Sequence, residues 1–137
     1  MRNAEFGLRN GKQDAGPEMN GKSPDLKVRT KDFAVRVIRL VDSLPGRRSC
    51  DVIGKQLLRS ATSVGANYRA ACRARSAAEF CSKLGIVEEE ADESVYWMEL
   101  LVAADAVRPE LLADLLGEAN EILAMVVASI KTARGNG

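Results

Sequence analysis

Apolar residues recur at steps of three and four along most of the chain, and polar breaks divide them into four blocks that each read as one face of a helix. The first block carries Phe33, Val37, Leu40, Val41 and Leu44 on one stripe and predicts a helix from Asp25 or Arg29 to Ser43. Leu44-Pro45-Gly46 ends it, because proline and glycine together break helical continuity. The second helix is predicted from Ser49 to about Arg73, with Ile53, Leu57, Ala61, Val64, Tyr68 and Cys72 as its buried stripe. Ser49 is its expected N-cap, and Asp51 falls in the first turn, where the helix dipole favours negative charge. Small residues fill its middle, from Ser60 to Ala66, so a neighbouring backbone can come close there. Ser76-Ala77-Ala78-Glu79 has the serine-then-glutamate spacing of a capping box and starts a third helix that runs to about Ala104. Its seam is Phe80, Leu84, Val87, Ala91, Val95, Met98 and Val102. Pro109 suits the first position of a fourth helix, where its missing N–H costs nothing. That helix carries Leu112, Leu115, Ala119, Ile122, Val126 and Ile130, widened by Leu116, Leu123 and Val127, and frays at Gly135.

Four amphipathic helices on short links predict an all-α protein, an antiparallel up-down four-helix bundle, rather than a three-helix core with a detached first helix. The bundle domain is expected over residues 25–135. Residues 1–24, rich in Gly, Asn, Lys and Asp and without periodicity, read as a flexible N-terminal tail. Tyr96, Trp97, Leu100 and Leu101 lie partly off the seam of the third helix. They either widen the core or form the interface of a cyclic homo-oligomer, and Tyr96, Trp97 and Leu100 are taken as that interface.

The turn between the second and third helices centres near Arg75. Across it Gly65 is expected to face Gly85, and Arg59 comes level with Ala91, within reach of Glu90 or Glu93. A structural ion pair of Arg59 with Glu90 and Glu93 follows, and it fixes register more than it adds stability. Cys72 and Cys81 come near each other by the same count, although a reducing compartment disfavours a disulfide. All three cysteines, Cys50 included, read as reduced thiols that fill small core spaces.

Composition narrows the chemistry. Aromatic residues are 4% of the 137, so the core is aliphatic. The chain has no histidine. Di-iron bundles built on Glu-x-x-His pairs are thereby disfavoured, as are Ser or Cys nucleophiles that need a histidine base. The acidic run Glu88, Glu89, Glu90, Asp92 and Glu93 projects around much of its helix and reads as a solvated face rather than a metal site. No enzyme activity, catalytic residue, metal or cofactor is expected. No apolar run approaches the roughly 20 residues that cross a bilayer, and the N-terminus has no hydrophobic signal segment, so a cytoplasmic location without a membrane partner is expected.

Net charge is only +1 but unevenly placed. Residues 53–83 hold 6 basic and 1 acidic group, and residues 84–105 hold 7 acidic and no basic ones. Arg69, Arg73, Arg75 and Lys83 gather at one end of the second hairpin. They read either as a phosphate-binding surface or as cations that complement a helix C-terminus. In a cyclic oligomer each copy repeats the patch, giving one end a concentrated positive field and leaving the other end negative.

The stretch from Gly54 to Arg69, with Leu58-Arg59-Ser60 and Ser63-Val64-Gly65-Ala66-Asn67, resembles the second helix of a known family. The stretch from Lys83 to Leu101, ending in Tyr96-Trp97-Met98-Glu99-Leu100-Leu101, resembles its third. The family is the four-helix-bundle proteins encoded in intervening sequences of 23S ribosomal RNA genes, and the chain is also similar to the accessory variability determinant proteins of diversity-generating retroelements. The likeness spans roughly residues 29–134. It implies a left-handed up-down bundle that forms a homopentamer, with no established catalytic site. The retroelement relatives imply two partners, a reverse transcriptase and a nucleic acid, RNA or DNA, bound through basic surfaces. The resemblance thus implies an adaptor role, with Arg69, Arg73, Arg75 and Lys83, together with the basic first helix, as the matching cations; a structural oligomer with no nucleic-acid role is the alternative. Family members usually carry glutamate where this chain has Ala70, a change that makes the basic end more basic.

Overall fold

The computed structural model describes residues 25–135; the expected tail, residues 1–24, lies outside the described residues. Four helices form: α1 (Leu26–Asp42), α2 (Arg48–Cys72), α3 (Ala77–Ala103) and α4 (Pro109–Ala133). No strand occurs among the described residues.

Each boundary has a local cause. The Asp25 carboxylate accepts the Lys27 N–H at 2.9 Å and caps α1. Ser76 Oγ accepts the Glu79 N–H at 3.0 Å, and Glu79 in turn accepts the Arg75 N–H at 3.1 Å. This reciprocal pair satisfies two donors at the start of α3. Pro109 occupies the opening of α4. Ser49, expected as the cap of α2, is instead its second residue. The turn after Pro45 closes one residue early, with the Arg47 N–H bound to the Pro45 carbonyl at 2.8 Å. Arg47 then accepts the first helical bond from Asp51 and becomes the N-cap, with no side-chain hydrogen bond.

The helices pack as a square. Neighbours in the chain touch, α1 also touches α4, and the Cα atoms of diagonal pairs stay more than 8 Å apart. The contact is most extensive between α2 and α3 and least between α1 and α4. All six stripe residues of α4 are buried. In α3 the buried residues are Leu84, Val87, Ala91, Ser94, Met98 and Leu101, so Leu101 belongs to the core, not to an outer surface. Phe80, Val95 and Val102 flank it, half-buried. In α2 the core takes Leu57, Ala61, Val64 and Ala71, whereas Cys72 is exposed. Repeated steps of four advance about 40° around a helix of 3.6 residues per turn, so Tyr68 and Cys72, four and eight residues after the buried Val64, drift out of the core while Ala71, seven after it, stays in.

The glycines of α2 serve α1 rather than α3. A Cβ on Gly65 would stand 3.3 Å from Thr30 Oγ1 and 3.5 Å from the Thr30 carbonyl oxygen. Gly85 has open space where its side chain would be, so the expected Gly65–Gly85 approach does not occur. The glycines instead let α1 settle closely on α2, with Gly54 lying against Val41 and Leu44. What α2 offers α3 is the buried pair Ser60 and Ser94, whose hydroxyl oxygens lie 2.9 Å apart.

The turn from α3 to α4 contains Asp105 at φ 60°. The Ala106 N–H reaches the Leu101 carbonyl at 2.9 Å and the Asp105 N–H reaches that of Val102 at 3.0 Å, a Schellman closure. Its left-handed position favours glycine, which has no Cβ to strain. Asp105→Gly is therefore expected to raise stability by about 0.5 kcal/mol, despite the larger unfolded-state entropy of glycine. A urea unfolding series that shows a lower midpoint for the variant would contradict this.

Candidate functional site

Two polar seams run along the bundle, and a cationic end caps it. On the α2–α3 side, Arg59 reaches Glu90 at 3.2 Å with one amino group and makes a short bond to Glu93 with the other. Trp97 adds its indole N–H to the same Glu93 oxygen at 3.1 Å. Glu93 is thereby held below the usual carboxylate range, first by the Trp97 hydrogen bond and then by Arg59. The guanidinium of Arg59 is raised, chiefly by its bond to Glu93. Arg59, Glu90 and Glu93, marked by the antiparallel count, are thus brought together.

A second seam was not visible in the helix patterns. Arg29 of α1 forks onto Glu118 of α4 through Nε at 2.9 Å and Nη2 at 2.7 Å, and Nη2 also meets Glu121 at 2.7 Å. Its remaining amino group donates to Met125 Sδ at 3.3 Å. Arg29 is only 18% exposed, and its pKa is raised, chiefly by the Glu118 bond against the opposing cost of burial. Two turns on, Arg36 meets Asp114 at 2.7 Å. The signal in the sequence is a matched pair of faces: arginines seven apart on α1, and acids at steps of four and three on α4.

At the end of the bundle where α2 passes into α3, Arg69, Arg73 and Arg75 are exposed and Lys83 is half-buried. Among the described residues no carboxylate pairs with any of these four side chains. The up-down path returns the last turn of α4 to the same end, adding Lys131 and Arg134, both exposed. Arg134 lines a surface groove with Ala77, Ala78, Cys81 and Ser82 of α3. Lys27 joins from the first turn of α1, whose Leu26 shares a groove with Thr132 and Ala133. Sequence reasoning included the basic first helix but missed the α4 cations, since only the closed bundle brings its first and last turns together. The two acids of these turns, Asp25 and Glu79, are engaged in capping backbone N–H groups.

The opposite end does not carry the expected negative field. Asp42, Asp51, Glu99, Asp105 and Glu110 are interspersed there with Arg39, Arg47, Arg48 and Arg108, because the α1–α2 turn carries arginines of its own. The acidic run of α3 lies along the bundle instead. Among the described residues no three His, Cys, Asp or Glu side chains converge to hold a metal.

Tyr96 is 53% exposed and Trp97 and Leu100 are half-buried on α3, with the Tyr96 and Trp97 rings edge to face at 5.1 Å. Val52 of α2, two turns before Arg59, is also exposed. Cys50 alone of the thiols is buried. Cys72 and Cys81 do not pair: Cys72 lies near Tyr68 on the flank of α2 that turns to α1, whereas Cys81 lines the groove with α4. The Tyr68 hydroxyl is pushed up to about 12, by burial first and then by the Cys72 thiol.

The family described as 23S rRNA-intervening sequence protein matches residues 25–128. A crystal structure of a protein of unknown function from the S23 ribosomal protein family of Bacteroides thetaiotaomicron superposes with TM-score 0.74 at 37% sequence identity, covering 78% of this chain and 99% of that one. Among curated proteins none is significantly similar.

Two measurements check the seams. Arg29→Met is expected to lower stability by about 2 kcal/mol, because Glu118 loses a charge-assisted bidentate partner in a part-buried site. Chemical denaturation with an Arg29/Glu118 double-mutant cycle reads it, and additive single effects would refute the pairing. Because Glu93 is lowered in the fold, its contribution is present above the unfolded carboxylate pKa and lost as pH falls through the folded value. Between pH 7 and pH 3 the wild type should therefore lose more stability than Glu93→Gln, with the fluorescence of Trp97 reporting the transition. Parallel pH profiles would count against it.

Proposed function

We propose that this chain, which belongs to the 23S rRNA-intervening sequence protein family, is a non-enzymatic, homo-oligomeric adaptor of the cytoplasm whose basic end takes the phosphate backbone of a nucleic acid. One observation carries this reading. Arg29, Arg36 and Arg59, along the length of the bundle, are committed to carboxylates, whereas Arg69, Arg73 and Arg75 at its end stand exposed without one among the described residues. Exposed guanidinium groups without intramolecular partners are available to phosphate oxygens, and such contacts are independent of sequence and sensitive to salt.

The exposed Val52 and Tyr96, with Trp97 and Leu100 half-buried, support self-association. A homopentamer, as the family resemblance implies, would set five basic ends around one axis and multiply the local field. The likeness to retroelement accessory proteins adds a reverse transcriptase as protein partner, with the adaptor holding enzyme and template together. The chain supplies no histidine for acid–base or nucleophilic chemistry, which supports a role in binding. No helix of the described residues is long and apolar enough to cross a membrane.

A structural oligomer with no nucleic-acid role is favoured by one detail: Arg69 and Arg73 sit at the C-terminus of α2, where cations complement the helix dipole. Native mass spectrometry with and without a short RNA separates the two. The adaptor reading expects RNA-bound oligomers at low salt. It expects the triple variant R69Q/R73Q/R75Q to keep the oligomer while the slope of log affinity against log salt falls by about 2 to 3. Unchanged binding by the variant, or none by the wild type, would leave the structural oligomer.

A further inference from the structure

We propose that identical copies join corner to corner, the outward side of α2 in one protomer seating on the outward side of α3 in the next; this rests on the homo-oligomeric part of the reading above. On α2 the sides turned to other helices are fixed by contacts: Gly54 and Gly65 lie against α1, and Ser60 meets Ser94 of α3. What remains outward is two rows spaced by seven, close to two turns of helix. One row is Arg48, Lys55, Thr62 and Arg69, and the other is Val52, Arg59, Ala66 and Arg73, every one of them exposed. Neither row holds an acid. On α3, Ser94 turns to α2 and Cys81 to α4. Its outward rows are Ser82, Glu89, Tyr96 and Ala103, exposed, and Ile86, Glu93 and Leu100, half-buried. Neither holds a cation. Asp92 and Glu99 border them, exposed and, like Glu89, without a partner among the described residues.

The two surfaces are complementary in charge, and they also match in register. Arg59, forked between Glu90 and Glu93, sets which residues of the antiparallel α2 and α3 share a height. A rotation axis along the bundle, which a ring with its basic ends together requires, keeps that height from one copy to the next. Lys55 then comes level with the neighbouring copy's Tyr96, between its Asp92 and Glu99. The ammonium finds carboxylates to either side and an aromatic ring across from it. Val52 comes level with the neighbouring copy's Leu100, and Ala66 with its Ile86, which gives the contact an apolar strip. Arg69 comes level with Ser82 and meets no carboxylate. The contact therefore neutralises α2 towards its start and leaves Arg69, at the α2–α3 end, to phosphate.

The position of the two surfaces closes the assembly. α2 and α3 are adjacent corners of the square. Their outward directions differ by about 90°, so each added copy turns by a similar angle and the ring closes after about four or five. Contacts on diagonal corners would run on in a line instead.

The test is native mass spectrometry and sedimentation of the full chain over a concentration series. Lys55→Glu and Asp92→Lys, both at exposed positions, are each expected to raise the concentration for half-assembly by about tenfold or more, with helix content unchanged by circular dichroism. Within one protomer these side chains lean apart. Thr62, in the row of Lys55, is three residues from Gly65 on the α1 side, and Asp92 is eleven from Cys81 on the α4 side. Only a second copy lets one reversal answer the other, so the K55E/D92K double variant should assemble within about threefold of wild type. Single variants that assemble like wild type, or a double variant that stays dissociated, would overturn the pairing of α2 with α3 while leaving the oligomer in place. A K55E variant that keeps the ring but loses affinity for a short RNA would give the α2 rows to the polyanion and overturn the pairing as well. A wild type that stays monomeric at every concentration would remove the oligomeric reading itself, and this contact with it.

Discussion

An aliphatic core with almost no aromatic bulk sets the terms for this fold. Ala61, Val64, Val87, Ala91, Ala119 and Val126 are all nearly inaccessible, and such short side chains keep full contact only if the helices come close. Dispersion falls steeply with separation, so α2 carries glycine where α1 crosses and serine where α3 does. Close approach then buries hydroxyls, and each must find a partner. Thr30 donates to the Leu26 carbonyl, and Ser60 and Ser94 meet across the α2–α3 contact. The polar seams follow from the same closeness, because long arginine and glutamate side chains are left to span the outer edges of narrow grooves.

This explains why the two lateral seams differ. The α2–α3 seam has backbone contact, a buried serine pair and the Arg59–Glu93–Trp97 group in register. The α1–α4 seam has little backbone contact and depends on Arg29 and Arg36. An arginine fork can hold helices whose axes are somewhat farther apart, which an aliphatic contact cannot. The consequence for function is a division of cations. Arg29, Arg36 and Arg59 along the sides are neutralised by carboxylates, and Arg69, Arg73 and Arg75 at the end where α2 gives way to α3 are left to solvent.

Helix number, order and most of the core were legible because they depend on local periodicity. Every predicted stripe residue of α4 is buried, since that helix is apolar enough for its inward side to be unmistakable. The Arg59–Glu90–Glu93 group was legible too, because a short turn relates the two helices by a simple count. What escaped was what depends on closing the bundle. Arg29 and Glu118 are 89 residues apart, and no local rule ties them. Gly65 was assigned to the wrong neighbour because its sequence surroundings say only that something comes close, not whether α1 or α3 does. Cys72 was misplaced by following steps of four too far. The cationic end was read from one hairpin and a basic first helix, and its α4 members emerged only when the first and last turns met.

The arginine stitching of α1 to α4 has a consequence for how ionic strength acts on this molecule. At about 0.1 M salt the screening length is near 10 Å, enough to weaken pairs that reach the surface, as those to Glu121 and Asp114 do. Electrolyte thus works in two places at once: it competes for the exposed guanidinium groups at the tip, and it relaxes the helix whose first residues stand beside them. Rigidity of α1 and the field of the exposed cations would decline together, so the platform is firmest under the same dilute conditions in which that field is strongest.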